Sequence, residues 1–255
     1  MPFYNENLQT SSVTLESIKV DSKCLVAFNK VLCDSGCSGS MACMRLITSF
    51  STLGNECSNS ELKDDVASFM LLAILVANSK RSCFDDPQAW ANEFVSALNT
   101  IGFVSSNAGL NQANLRPNTT VSQAVLENID DQSREPIKQA VTAIGQPENK
   151  VALRALNMEV KGPGNTIACL MAYSSADSYG NATTEVFRST EINCYFGRAS
   201  KFNDNVLETG VKPGDQIMCG KTTGILGKHI ADRFRRAVMD KLGQRFKDNV
   251  KDVQF

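Results

Sequence analysis

His229 is the only histidine in the chain, so any mechanism that needs an imidazole base must run through this one residue. It stands directly before Ile230 at the start of a basic amphipathic stretch, which places it on a helix surface as a partly exposed side chain. The nucleophile such a base would serve is Cys219, at the end of a strand ten residues earlier, with Cys194 second. No GxSxG, HExxH or GxGxxG pattern occurs, which argues against several common enzyme classes. The chain therefore reads as non-enzymatic, with no catalytic residues and no cofactor.

The nine cysteines offer other chemistry. Cys33, Cys37, Cys43 and Cys57 cluster in sequence, but they are separated by three, five and thirteen residues. Structural zinc sites use short recurring separations such as C-x2-C, so no metal is expected. In a reducing compartment these thiols are most simply small apolar side chains. Covalent acylation is the exception considered. A thiol at a strand end facing an apolar interior would carry a fatty chain at about 0.8 kcal/mol per buried CH2, and Cys219 and Cys194 are the candidates. Phosphate binding finds no support, because Gly214 and Gly220 enclose five residues where a P-loop has four.

The elements that position these residues are organised around Val66–Ala77, twelve residues broken only by Ser68. Ser58 and Glu61 have the form of a capping box, Asp64 and Asp65 favour the positive end of a helix dipole, and Lys80 and Arg81 the negative end. A helix apolar on all sides is buried in a core or a bilayer. Twelve residues rise about 18 Å, against the roughly 20 residues that a membrane span requires, so a core helix over 61–80 is expected. Asp86 and Pro87 then supply an N-cap and first helical residue. Trp90, Phe94, Val95, Leu98 and Ile101 make one apolar face to about Gly102, giving a helical hairpin over 61–101.

Elsewhere the spacing predicts a short helix at Met41–Phe50, a polar loop over 105–119, a helix capped by Thr119 or Thr120, and a short helix opened by Pro136. Beyond Val151 the period changes. Leu156, Met158 and Val160 alternate, and strands are expected at Thr166–Tyr173, Thr184–Phe196, with Val186, Ile192, Cys194 and Phe196 on its more buried face, and Gln216–Cys219. They are separated by turns too short for crossover helices. A final helix begins near Ile225, with Leu226, Ile230, Phe234, Val238, Leu242, Phe246 and Val250 on a stripe. The expected fold is thus α+β, one domain over 1–255: a helical part over 15–150 packed on a C-terminal antiparallel meander that the last helix covers.

Overall charge names no partner. The net charge is −1, and nucleic-acid binding normally needs clustered Lys and Arg. The charge is uneven, however, since residues 221–255 hold nine Lys/Arg and four Asp. Lys228, Arg235, Arg236 and Lys241 opposite an apolar stripe suit an anionic membrane surface, although a helix docked on the sheet with a solvated charged face explains the same pattern. The N-terminus carries no basic region followed by an apolar one, so synthesis in a cytosol without a Sec signal peptide is expected, and any export would be signal-independent. Three functions are consistent with these features. They are a non-enzymatic, toxin-like or virulence protein that engages a membrane or lipid, a thiol-dependent or S-acylated protein using Cys219 or Cys194, and a self-assembling structural or interaction protein, for which a homo-oligomer is the expected partner state. No motif assigns the chain to a family.

Overall fold

The computed structural model describes residues 31–33, 40–43, 46–51, 60–107, 109–113, 116, 118–129, 131–147, 150, 153, 156–157, 160–178, 185–197, 201–211 and 217–242. Its strands are β1 (Val31–Cys33), β2 (Ser40–Cys43), β3 (Leu46–Ser51), β4 (Val104–Asn107), β5 (Asn111–Ala113), β6 (Ile167–Ser178), β7 (Glu185–Phe196) and β8 (Ile217–Gly227). Its principal helices are α1 (Ser60–Lys80), α2 (Pro87–Thr100), α3 (Val121–Glu127), α4 (Asp131–Ile144) and α5 (Lys228–Leu242).

Alternation along the long strands divides the interior in two. Successive side chains of a strand point to opposite faces, and on β6 Ala168 and Leu170 join a core with α1, α2 and α5, whereas Ile167, Cys169 and Met171 join a second core with α3 and Ile137 of α4. The sheet is therefore covered on both faces, and the fold is α+β. Strands β6, β7 and β8 form the expected antiparallel meander. It extends on one side to β4 and β5, both antiparallel to β8, and on the other to β3, which pairs with β6 in parallel.

Local signals explain the helices. Asp86 accepts the Ala89 amide at 3.0 Å and Pro87 needs no donor, so α2 starts as its caps dictate. It ends at Gly102, whose φ of +103° lies in the left-handed region. Thr120 and Gln123 form a reciprocal capping box on α3. Helix α1 starts at Ser60, and Val66 together with Ser68–Ala77 is buried.

Several expectations are corrected. Met41–Phe50 is not a helix but the antiparallel pair β2–β3; so short an apolar run does not separate the two states by periodicity. The polar stretch 105–119 includes β5 and most of β4, whose Ser and Asn/Gln residues sit on strands that, among the described residues, pair only to β8. The described residues of 150–160 are helical rather than extended. Leu153, Leu156 and Val160, three and four apart, pack into the second core. Helix α4 begins at Asp131, ahead of Pro136. Ile225 and Leu226 still belong to β8, because Ile225 pairs with Val104 on one side and Arg188 on the other; the helix waits until Lys228. Ile192, Cys194 and Phe196 are buried as expected, but so is Glu191, at 1% exposure, although it falls on the supposedly open face. Residues 1–30, Cys37, Cys57, the Ser58 cap, Met158, Phe246 and Val250 lie outside the described residues.

Candidate functional site

Cys194 and Cys219, singled out separately from sequence, are brought together. They are directly paired across β7 and β8, and their Sγ atoms lie 2.8 Å apart. Cys169 is paired in turn with Cys194 across β6 and β7, so three thiols occupy one row of the sheet, all on the α3/α4 face. Sequence reasoning missed Cys169. A signal for it was present, because the two steps of the row, 169 to 194 and 194 to 219, have the same separation of 25 residues, as expected where successive hairpins of similar length keep one register.

Electrostatics favour the neutral thiol at two members of this row. Burial pushes the Cys169 thiol far above its ordinary value, and Cys219 and Cys83 add to the effect. The hydrogen bond with Cys219, followed by burial, pushes Cys194 up in the same way. Both cause and direction are those of an acid removed from water beside other acids. The three members differ in access. Cys194 is 0% exposed and Cys219 8%, and Cys219 lines a cavity of about 250 Å³ with Asn111, Gln112, Asn128, Gly220 and Lys221. The cavity lies where the outer strand is interrupted between β4 and β5, beside Gly220 and Lys221 of β8. Cys194 is fully buried, so of the two acylation candidates it is Cys219 that lines this cavity. Gly220–Thr222 lies within β8 and forms no phosphate loop. Among the described residues no cluster of His, Cys, Asp and Glu is arranged to hold a metal.

His229 sits exposed on the first turn of α5. The membrane-surface candidates share that helix but differ in their surroundings. Arg235 donates to both oxygens of Asp65 on α1, at 2.7 and 2.6 Å, and to Asp232 at 2.8 Å. These carboxylates raise the guanidinium above its usual value, the Asp65 hydrogen bond most of all. Lys228 donates to Asp232 at 2.8 Å, so Asp232 is engaged by both Lys228 and Arg235. Arg236 is 95% exposed, with Asp240 at 3.9 Å, and Lys241 lies in the last turn of α5. The apolar stripe of α5 turns inward: Ala231, Val238 and Leu242 are buried and Ile230, Phe234 and Met239 pack against the first core. Among the described residues no helix is long and apolar enough to cross a membrane.

No protein-family model matches the chain, and no curated protein matches it in sequence. Among solved structures, one described as the structure of the Evf virulence factor is similar over 88% of this chain and 83% of that chain, with 13% identity and a TM-score of 0.37. A delta-endotoxin is similar over 70% of this chain and 78% of that chain, with 11% identity and a TM-score of 0.31. Likeness this slight transfers neither fold nor activity.

Proposed function

We propose that this chain is a non-enzymatic, toxin-like protein that engages a lipid surface through its α1–α2 layer. The observation that carries the reading is the burial of Val66 and Ser68–Ala77 around the whole circumference of α1, in a layer outside the sheet. A helix in an outer layer needs only one apolar stripe. This one is apolar all round because α2 and α5 flank it, so once released it has no polar face to offer water and is better accommodated by acyl chains. Its apolar run is too short to span the roughly 30 Å bilayer core, which favours entry into one leaflet. Release would also part Asp65 from Arg235, so that the basic side chains of α5 gain one net positive charge toward anionic headgroups while Lys228 and Arg235 keep Asp232.

Trp90, the only tryptophan, lies in α2 at 1% exposure and reports directly on the layer. Flotation with anionic vesicles carrying brominated acyl chains, at low and high salt and at neutral and acidic pH, should recover the protein with the lipid and with Trp90 fluorescence quenched. Failure to float under all these conditions, or flotation with Trp90 unquenched, would remove the proposal.

A further inference from the structure

The row Cys169, Cys194 and Cys219 is more than apolar packing. We propose that Cys194 and Cys219 form a reversible cross-strand disulfide, with Cys219 receiving the oxidising equivalents through the cavity beside it. This is independent of the lipid reading.

Geometry carries the pairing. Residues directly opposite on antiparallel strands have Cα atoms about 4.5–5.5 Å apart, inside the roughly 4.4–6.8 Å range of disulfides. The two sulfurs already approach to 2.8 Å, so bond formation requires only a small movement of side chains on a fixed backbone. A metal is the competing use of three thiols, but neighbouring strands run about 4.8 Å apart and present their side chains side by side rather than converging on a point. Access to one member of the pair from the cavity suits a bond that exchanges rather than a permanent staple.

Access assigns the order of events. Cys194 is enclosed, whereas Cys219 lines the cavity together with Lys221, two residues along the same strand. A lysine on the wall favours an oxidant bearing carboxylates, and the class that fits is a low-molecular-weight disulfide of the glutathione type. In the first step Cys219 gives up its proton and its sulfur attacks one sulfur of the oxidant. The oxidant's S–S bond breaks, one small thiol leaves with the proton, and Cys219 holds the other half as a mixed disulfide. Cys194 then loses its proton and attacks the Cys219 sulfur, breaking that mixed bond. The second small thiol departs with the second proton. The protein pair has lost two electrons and two protons, and one small disulfide has become two thiols.

The full-length chain, first reduced and then equilibrated in buffers of increasing oxidised-to-reduced glutathione ratio, should lose the Cys194 and Cys219 thiols together. After denaturing alkylation, peptide mapping should find a disulfide joining these two residues, reversed by returning to a reducing ratio. Cys194→Ser should trap glutathione on Cys219, and Cys219→Ser should leave Cys194 free. If both thiols in the unmodified protein are fully alkylated at the most oxidising ratio, or if either is found bonded to a different cysteine, the proposal fails. Glutathione trapped on Cys169 rather than Cys219 in the Cys194→Ser protein overturns the assigned entry point.

Discussion

The two faces of the sheet share an aliphatic core but differ in what accompanies it. The α1 face adds aromatic rings, with Phe69, Leu72, Leu75, Trp90, Phe94, Leu98 and Ile101 all essentially excluded from water, and a clasp between Asp65 and Arg235 joins α1 to α5 within it. The α3/α4 face holds the three cysteines with Met171 and Phe196, and its covering segments are stitched by backbone hydrogen bonds. Val121 N donates to Thr209 O at 3.0 Å and Val211 N to Thr119 O at 2.9 Å. Apolar burial is strong but non-directional, so the first face owes most of its cohesion to packed volume, supplemented where Asn99 and Gln88 of α2 accept the Ser105 and Leu110 amides. On the second face the backbone hydrogen bonds fix its covering segments to one another.

The largest effect should come from emptying the first face. Trp90 stacks on Phe94 with ring centroids 5.5 Å apart and donates its indole N–H to Asn78 at 2.8 Å, so Trp90→Ala should cost about 3–5 kcal/mol in urea unfolding. Breaking the clasp comes next, and unequally. Arg235→Met strands the Asp65 carboxylate, whose side chain is 7% exposed, while the arginine was already 35% exposed. A loss of about 2–3 kcal/mol is expected, discounted for that exposure, with a smaller loss for Asp65→Asn. Equal losses would mean that Asp65 is not effectively desolvated. Gly102→Ala tests how closely α2 and α5 meet. A Cβ there would lie 2.3 Å from Ile230 Cγ2 at a φ of +103°, and about 1–3 kcal/mol should be lost. On the second face Cys169→Ala removes one sulfur from a buried row and should cost only about 1 kcal/mol.

The smallest change tests the charged rim of α5. The Lys228 hydrogen bond, with help from Arg235, holds the Asp232 carboxyl below its ordinary 3.8. A depressed folded value stabilises above the unfolded value and is lost as pH falls through the folded one. The unfolding midpoints of the parent and Asp232→Asn should therefore differ slightly above pH 3.8, converge as the pH drops below it, and converge also in high salt.

Legibility followed how local the information was. α2 and α3 could be read because a cap, a period and a stop agree within a few residues, as at Asp86, Trp90 and Gly102. The buried course of α1 followed from Val66–Ala77 alone. β4 and β5 could not be read, because Ser105, Ser106, Asn111 and Gln112 have loop composition and owe their extended state to a partner, β8, more than a hundred residues away. The site was half legible for the same reason. Strand-end position drew attention to Cys194 and Cys219, but only the register of β6, β7 and β8 places Cys169 in line with them.

The one parallel junction among the described residues, where Leu46 meets Leu170 and Ser51 meets Ser175, bears on the order of assembly. As the chain is synthesised, β1–β3 emerge while the strand they must join is still unmade, and both helices of the α1 hairpin can fold in the interval from contacts close in sequence. The seam is thus among the last joints to close, since distant pairing bears the full loop-closure entropy before it is rewarded. Until then β3 presents an unmatched edge, the kind of surface on which nascent chains associate with one another. Yield on folding should depend more on how quickly that joint closes than on how stable the finished molecule is.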